Sequence, residues 1–100
     1  MPKEGNGRTW RVGFAGTVAK DIKTLHRLAK KTGLGEAYID AVRFAIHRMQ
    51  HDPLNFGELI KRLPNSQMVV HVRVVKPIRI EFAIHEDTHR VLIQNIQFMP

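Results

Sequence analysis

The stretch MVVHVRVVKPIRIEFAIH, residues 68–85, predicts two neighbouring strands and thereby the class of fold. On both sides of Lys76-Pro77 the side chains follow the two-residue period of a strand and are rich in Val and Ile. Glu86-Asp87-Thr88 then supplies a turn, and residues 90–98 supply a third strand with the apolar run Val91-Leu92-Ile93. Together these segments predict an antiparallel meander.

The polar residues of the meander decide where a functional site is expected. In each strand we expect one set of alternate side chains to face a core and the other set to lie on an uncovered face of the sheet. The polar set predicted on that uncovered face consists of His71, Arg73, Arg79, Glu81 and His85, with Asn95 or Gln97 beside them depending on register.

The amino-terminal half predicts a strand followed by two helices. Alternating apolar residues over residues 9–14 indicate the strand. Apolar residues at helical spacing predict one helix from the N-cap Thr17 to a stop at Gly33. A second apolar stripe predicts a helix from about Gly35 to the residue before Asp52-Pro53, because the residue that precedes a proline disfavours helix.

The segment after the second helix has the weakest pattern. Four apolar residues follow helical spacing and predict a short helical turn against the core: Phe56, Leu59, Ile60 and Leu63. Pro64-Asn65-Ser66 predicts a turn before the meander. The single tyrosine, Tyr38, belongs to the apolar stripe of the second helix and is therefore predicted in the core.

These elements predict an α+β fold in the order β-α-α-β-β-β. Because each helix has an apolar stripe to bury, we expect an N-terminal helical hairpin packed on one face of a small, mainly antiparallel sheet. Residues 1–8 predict a disordered lead-in, and residues 9–100 predict a single domain.

The charge balance indicates the kind of partner. Sixteen Lys and Arg against nine Asp and Glu give a formal net charge of +7, which favours a polyanionic partner in a chain of 100 residues. The chain has no cysteine, which excludes a disulfide framework, a thiolate metal site and a cysteine nucleophile. It also lacks an apolar run that could span a membrane. Composition therefore predicts a cytoplasmic protein with no cofactor and no membrane partner. The pairs His47/His51 and His85/His89 could bind zinc only with a third protein ligand, and the sequence offers none, so no metal is expected.

The order of elements and several short motifs resemble the RelE/ParE toxin superfamily. The motifs are the opening strand before a Lys-rich helix, Asp52-Pro53 followed by Gly57-Glu58-Leu59, the Arg-apolar-x-aromatic pattern within residues 78–84, and Val91-Leu92-Ile93. The match covers nearly the whole chain after residue 8. The resemblance implies a RelE-like fold and the toxin of a type II toxin–antitoxin system, which a cognate antitoxin neutralises.

Two activities occur in this superfamily, and the resemblance leaves both open. RelE-like members cleave mRNA in the ribosomal A site, whereas ParE-like members inhibit DNA gyrase. Our first hypothesis is a ribosome-dependent mRNA endonuclease. The alternatives are a gyrase inhibitor without nuclease activity and a catalytically degenerate basic domain that binds nucleic acid. RelE-like nucleases generally have a further Arg or His and a Tyr past the last strand, and residues 96–100 supply neither.

Metal-independent RNA cleavage requires a base, an acid and one or two cations that stabilise the phosphate charge. The resemblance matches Arg79 to the family's sheet arginine, and a guanidinium suits a bidentate phosphate contact. Arg73 and His71 would contact phosphate, and the imidazole of His71 could transfer a proton. The alternative for His71 is an ordinary polar residue on a sheet face. Glu81 and His85 are further acid–base candidates, and either could instead be the structural partner of a neighbouring Arg. In the same way, Arg79 could simply be paired with Glu81 or His85.

Other basic residues predict a surface that contacts a nucleic-acid backbone through counterion release. An ordinary solvated basic surface is the alternative for this set, which consists of Lys61, Arg62, Lys76, Lys20 and Lys23.

Overall fold

The computed structural model describes residues 9–100. The elements in chain order are β1 (Arg11–Phe14), α1 (Val18–Lys31), α2 (Gly35–His51), a short 3₁₀ helix (Pro53–Asn55), β2 (Glu58–Leu63), β3 (Met68–Val75), β4 (Ile78–His85) and β5 (Arg90–Phe98). They form one five-stranded sheet in the order β1-β5-β4-β3-β2. β1 runs parallel to β5, and all other neighbours are antiparallel. The disordered lead-in expected over residues 1–8 lies outside the described residues.

Both helices begin and end where the sequence predicts. Thr17 precedes α1, although its hydroxyl donates to Asp21 Oδ2 at 3.0 Å and does not cap a backbone N–H. Gly33 ends the turn after α1 with a φ of +79°, a left-handed conformation in which glycine has no Cβ to strain. α2 ends at His51, and Pro53 then starts the 3₁₀ helix.

The core lies between the helical hairpin and one face of the sheet. α1 packs against α2 and β5, and α2 also contacts β1 and β4. Tyr38 is fully buried and donates its hydroxyl proton to the carbonyl oxygen of Ile22 at 2.8 Å, which ties α2 to α1. Burial raises the pKa of Tyr38 to about 12, so the phenol stays protonated and keeps donating. Neither helix in residues 9–100 is both long and apolar enough to cross a membrane.

The helical turn predicted over residues 56–63 is wrong, because Glu58–Leu63 is the edge strand β2. It pairs with β3, and the pairing shifts between Leu59 and Lys61, which leaves Ile60 as a bulge. The bulge explains the misleading pattern, since an extra residue in a strand interrupts the two-residue alternation and imitates helical spacing. Leu59 and Ile60 are 47% and 46% exposed. The expectation that they pack against the core is therefore wrong.

The substitution Tyr38→Phe should lower the free energy of unfolding by about 0.5–1.5 kcal/mol, because it removes one hydrogen bond in the core and keeps the ring. Urea denaturation measures the change. Thr24→Val is the matched control, since the Thr24 hydroxyl donates to the Lys20 carbonyl at an exposed position and its loss should cost less. Equal effects of the two substitutions would contradict a structural role for the buried phenol.

Candidate functional site

The pairing of β3 with β4 decides which face each candidate side chain occupies. Only Lys76 and Pro77 separate the two strands, and Val75 pairs with Ile78. His71 therefore lies opposite Phe82, and Arg73 lies opposite Ile80. Directly paired residues point to the same face of a sheet. Because Phe82 and Ile80 belong to the buried core, His71 and Arg73 lie on the face that carries the helices.

The prediction that the five polar residues share the uncovered face is therefore wrong. Arg79 pairs with Val74, and Glu81 pairs with Val72, on the face away from the helices. Both sets of alternate side chains in β3 are rich in Val, so hydrophobicity does not reveal which set faces the core. The length of the turn fixes that choice. His71 and Arg73 lie on the helix-bearing face, and the opposite face holds Arg79, Glu81 and His85.

On the face away from the helices, Arg79, Glu81 and His85 form contacts within the sheet and its hairpin. Arg79 Nη1 donates to Glu81 Oε2 at 2.7 Å, in an ion pair whose side chains are about one third exposed or less. Nδ1 of His85 accepts a hydrogen bond from the backbone N–H of Thr88 at 3.2 Å and lies 2.8 Å from the Thr88 hydroxyl. The contact of Arg79 with Glu81 matches the alternative considered for them, in which each is the partner of the other, whereas His85 forms hydrogen bonds with Thr88 of the hairpin and, within residues 9–100, with no Arg.

On the helix-bearing face, two arginines converge on one phenylalanine. Arg73 Nη1 donates to the carbonyl oxygen of Phe56 at 3.1 Å, and its guanidinium carbon lies 5.4 Å from the centroid of the Phe56 ring. The guanidinium carbon of Arg48, in the last turn of α2, lies 5.4 Å from the same centroid. Both distances are typical of cation–π contacts. We call Arg48, Phe56 and Arg73 the two-arginine cluster.

The charge of the two-arginine cluster is not compensated within the described part of the chain. Across residues 9–100, no carboxylate oxygen lies within 4.0 Å of either guanidinium, in contrast to the ion pair of Arg79. Arg73 is exposed and Arg48 is half-buried, so both can meet a ligand from solvent. Two planar guanidinium groups that contact one ring, and that no carboxylate of residues 9–100 neutralises, can bind an oxyanion such as phosphate.

His71 lies next to the cluster on the same face of β3. It is 7% exposed, its ring centroid is 5.7 Å from that of Phe82, and its buried Nδ1 has no hydrogen-bond partner within residues 9–100. Burial lowers the pKa of His71, and a hydrogen bond to the backbone of Gly57 only partly opposes that effect. Burial therefore favours the neutral form of this imidazole.

Gly57 brings β2 close enough to β3 to build the cluster. A Cβ at this position would lie 2.7 Å from the carbonyl oxygen of Val72 and 3.2 Å from Cζ of Phe82. Because Gly57 has no side chain, its backbone can lie close to the backbone of β3 at Val72. Phe56, the residue before it, then lies within contact distance of Arg73. Sequence reasoning missed Phe56 and Arg48 as site residues. Gly57 was the available signal, because a glycine beside an apolar strand pattern often marks a place where another backbone approaches closely.

The basic residues predicted to contact nucleic acid do not form one patch. Lys61 and Arg62 lie on the edge strand β2, pairing with Val70 and Val69, so they point to opposite faces. Lys76 lies in the turn between β3 and β4. Lys20 and Lys23 are exposed on α1, which packs against β5, and β4 and β3 separate β5 from β2. Arg62 is the member of this set on the same face as the two-arginine cluster.

No metal-binding group is found in the described part of the chain. Across residues 9–100, no three His, Asp or Glu side chains lie close enough together to hold a metal ion.

Comparison with known proteins identifies the fold. No family model and no curated protein matches the chain. A chain of the crystal structure of the toxin–antitoxin complex RelBE2 from Mycobacterium tuberculosis superposes with a TM-score of 0.61 at 19% sequence identity. The alignment covers 91% of this chain and 92% of that one. The chain therefore has the RelE-like α+β fold that the sequence resemblance implies.

The substitution Gly57→Ala should destabilise the protein by about 1–3 kcal/mol, because the added Cβ overlaps a backbone oxygen and forces β2 away from β3. Thermal unfolding measures this change. Gly13→Ala is the matched control in another edge strand, since a Cβ there would meet only Leu92 Cδ1 at 3.7 Å, an ordinary contact. If Gly57→Ala were as stable as Gly13→Ala, the close approach would not be needed for the fold.

The pH dependence of stability should report the burial of His71. Its pKa is lowered in the folded state from an ordinary value of 6.5, so below that pH the unfolded chain binds more protons than the folded one. The free energy of unfolding should therefore fall as the pH decreases below 6.5. Urea denaturation from about pH 8 to about pH 5, a range that spans the ordinary pKa of histidine, measures how the free energy of unfolding changes with pH. His71→Leu should reduce this slope, and an unchanged slope would contradict the lowered pKa.

Proposed function

We propose that this chain is the toxin of a toxin–antitoxin pair and that it cleaves RNA without a metal, as a ribosome-dependent mRNA endonuclease. The observation that supports the proposal is the two-arginine cluster with neutral His71 beside it. The fold shared with a chain of a toxin–antitoxin complex supports the toxin role. The formal net charge of +7 suits both a nucleic acid and an acidic antitoxin segment.

The proposed reaction is an internal attack within RNA. The 2′-oxygen of a ribose attacks the adjacent phosphorus while the neutral imidazole of His71 takes the hydroxyl proton. The bond from phosphorus to the 5′-oxygen breaks, and the leaving oxygen takes a proton from water. The hydroxide that remains takes the proton from His71, which restores the neutral imidazole. Arg73 and Arg48 bind the phosphate oxygens, where negative charge grows in the transition state. The products are a 2′,3′-cyclic phosphate and a 5′-hydroxyl end.

The helix-bearing face suits this role better than the uncovered face does. Arg79, the arginine that the resemblance first suggested, is already neutralised by Glu81 at 2.7 Å. A phosphate bound there would have to displace or repel that carboxylate. Arg73 has no such competitor among residues 9–100, and its contact with Phe56 fixes its orientation. We therefore assign phosphate binding to Arg73 and Arg48.

Induced expression in a bacterial host tests the proposal, with growth, mRNA ends and plasmid supercoiling followed in the same cultures. Wild-type protein should arrest growth and cut mRNA while supercoiling stays normal. Arg73→Ala should lower the cleavage rate by about 10²–10³-fold and relieve the arrest, because it removes one stabiliser of the transition-state charge. Arg79→Ala is the matched control, one sheet arginine for another, and should still cleave mRNA.

Circular dichroism and thermal unfolding establish that both variants are folded. Arg73→Lys keeps the positive charge but loses the planar guanidinium, so it tests whether the shape of the group is needed as well as its charge. Intact mRNA with lost supercoiling would reject the nuclease and favour a gyrase inhibitor. Normal growth with intact mRNA and DNA would reject the toxin role. Equal loss of cleavage in Arg79→Ala would reject the assignment to the helix-bearing face.

A further inference from the structure

We propose that Phe44 is a stacking surface for a base of single-stranded RNA, placed so that the phosphate next to that base meets Arg48. The inference rests on the proposed action on RNA and adds a subsite to it. It assigns to the exposed side of α2 a role in holding the substrate, separate from the proton transfer proposed for His71.

Phe44 is an exposed aromatic side chain on a helix whose other large apolar residues are buried or partly buried. It is 44% exposed, whereas Tyr38 and Met49 of the same helix are fully buried. Its ring centroid lies 6.1 Å from that of Phe56, with an angle of 65° between the ring planes. This edge-on contact with a buried ring holds Phe44 in place and leaves much of its surface open for a base.

Arg48 connects this exposed ring to the phosphate-binding cluster. It follows Phe44 by one helical turn, and its guanidinium carbon lies 5.9 Å from the Phe44 centroid and 5.4 Å from the Phe56 centroid. One cation thus contacts both rings, with no carboxylate within 4.0 Å among residues 9–100. An aromatic face beside a guanidinium is the pair of groups that single-stranded nucleic acid binds, by base stacking and by backbone contact.

The surroundings of Phe44 favour a base over an apolar protein partner. Its neighbours on the exposed side of α2 are Asp40, Arg43 and His47, all polar and exposed. A partner helix with a wide apolar face would have to bury these polar groups at considerable cost. A single planar base covers one ring and leaves its neighbours in water. The occupant that fits is therefore a base of single-stranded RNA.

The test measures affinity for a fluorescein-labelled single-stranded RNA by fluorescence anisotropy. Phe44→Ala and Phe44→Leu should each weaken binding by about 5- to 100-fold, because both remove the aromatic face and Leu keeps an apolar side chain. Phe44→Trp should bind at least as tightly as wild type. Phe14→Ala is the matched control, since Phe14 is 43% exposed on β1, and it should leave the affinity unchanged.

A second probe of the same length, a ribose-phosphate chain without bases, identifies the contact. All variants at position 44 should bind it equally, since it has nothing to stack. Phe44→Leu protein with wild-type affinity for the RNA would overturn the subsite. If it instead altered self-association in sedimentation, Phe44 would belong to a protein contact, which also overturns it.

These outcomes separate the subsite from the proposed function. If the wild-type protein cleaves mRNA and Phe44→Leu binds RNA as tightly as wild type, the subsite proposal is rejected and the proposed function is kept. Tight, Phe44-dependent RNA binding without any cleavage by the wild-type protein would sink the nuclease and keep the subsite. Failure of the wild-type protein to bind RNA at all would sink both.

Discussion

The pairing of Val75 with Ile78 across the turn Lys76-Pro77 is the constraint on which the placement of every polar group in the sheet depends. Side chains of a strand alternate between faces, so the length of a turn decides which residues of two strands lie together. Here the length of the turn places His71 and Arg73 on the same face as the core residues of β4 and on the opposite face from Arg79. The same strand pair thus presents two surfaces of different chemistry: on one, Glu81 neutralises Arg79, and on the other, no carboxylate of residues 9–100 neutralises Arg73.

A second constraint acts at the edge of the sheet, where the backbone of Gly57 passes β3 at a distance that no side chain would permit. The ring of Phe56 next to this approach contacts the ring of Phe82 and the guanidinium groups of Arg73 and Arg48. Packing and electrostatics are therefore linked at this point. The ring that fills the end of the core also orients the cations that face solvent.

The long, periodic elements could be predicted from the sequence, and the short-range geometry of the site could not. α1, α2 and the last three strands have patterns of eight or more residues, and Gly33 and Pro53 mark the helix ends clearly. β2 was missed because the bulge at Ile60 broke its alternation. The faces of β3 were assigned wrongly because Val occurs on both of them. Arg48 was missed because its contact with Phe56 joins elements whose relative position only the folded chain determines.

The parallel pairing of β1 with β5 makes completion of the sheet depend on the last element described, since their partners are about eighty residues apart along the chain. The helical hairpin can form early from local contacts, but α1 packs on β5, and β5 is the strand of residues 9–100 with which β1 pairs. A growing polypeptide therefore carries an apolar hairpin without a cover until residue 98 has been added. A truncation that removes β5 takes away two elements at once, because β1 is left without a strand to bind.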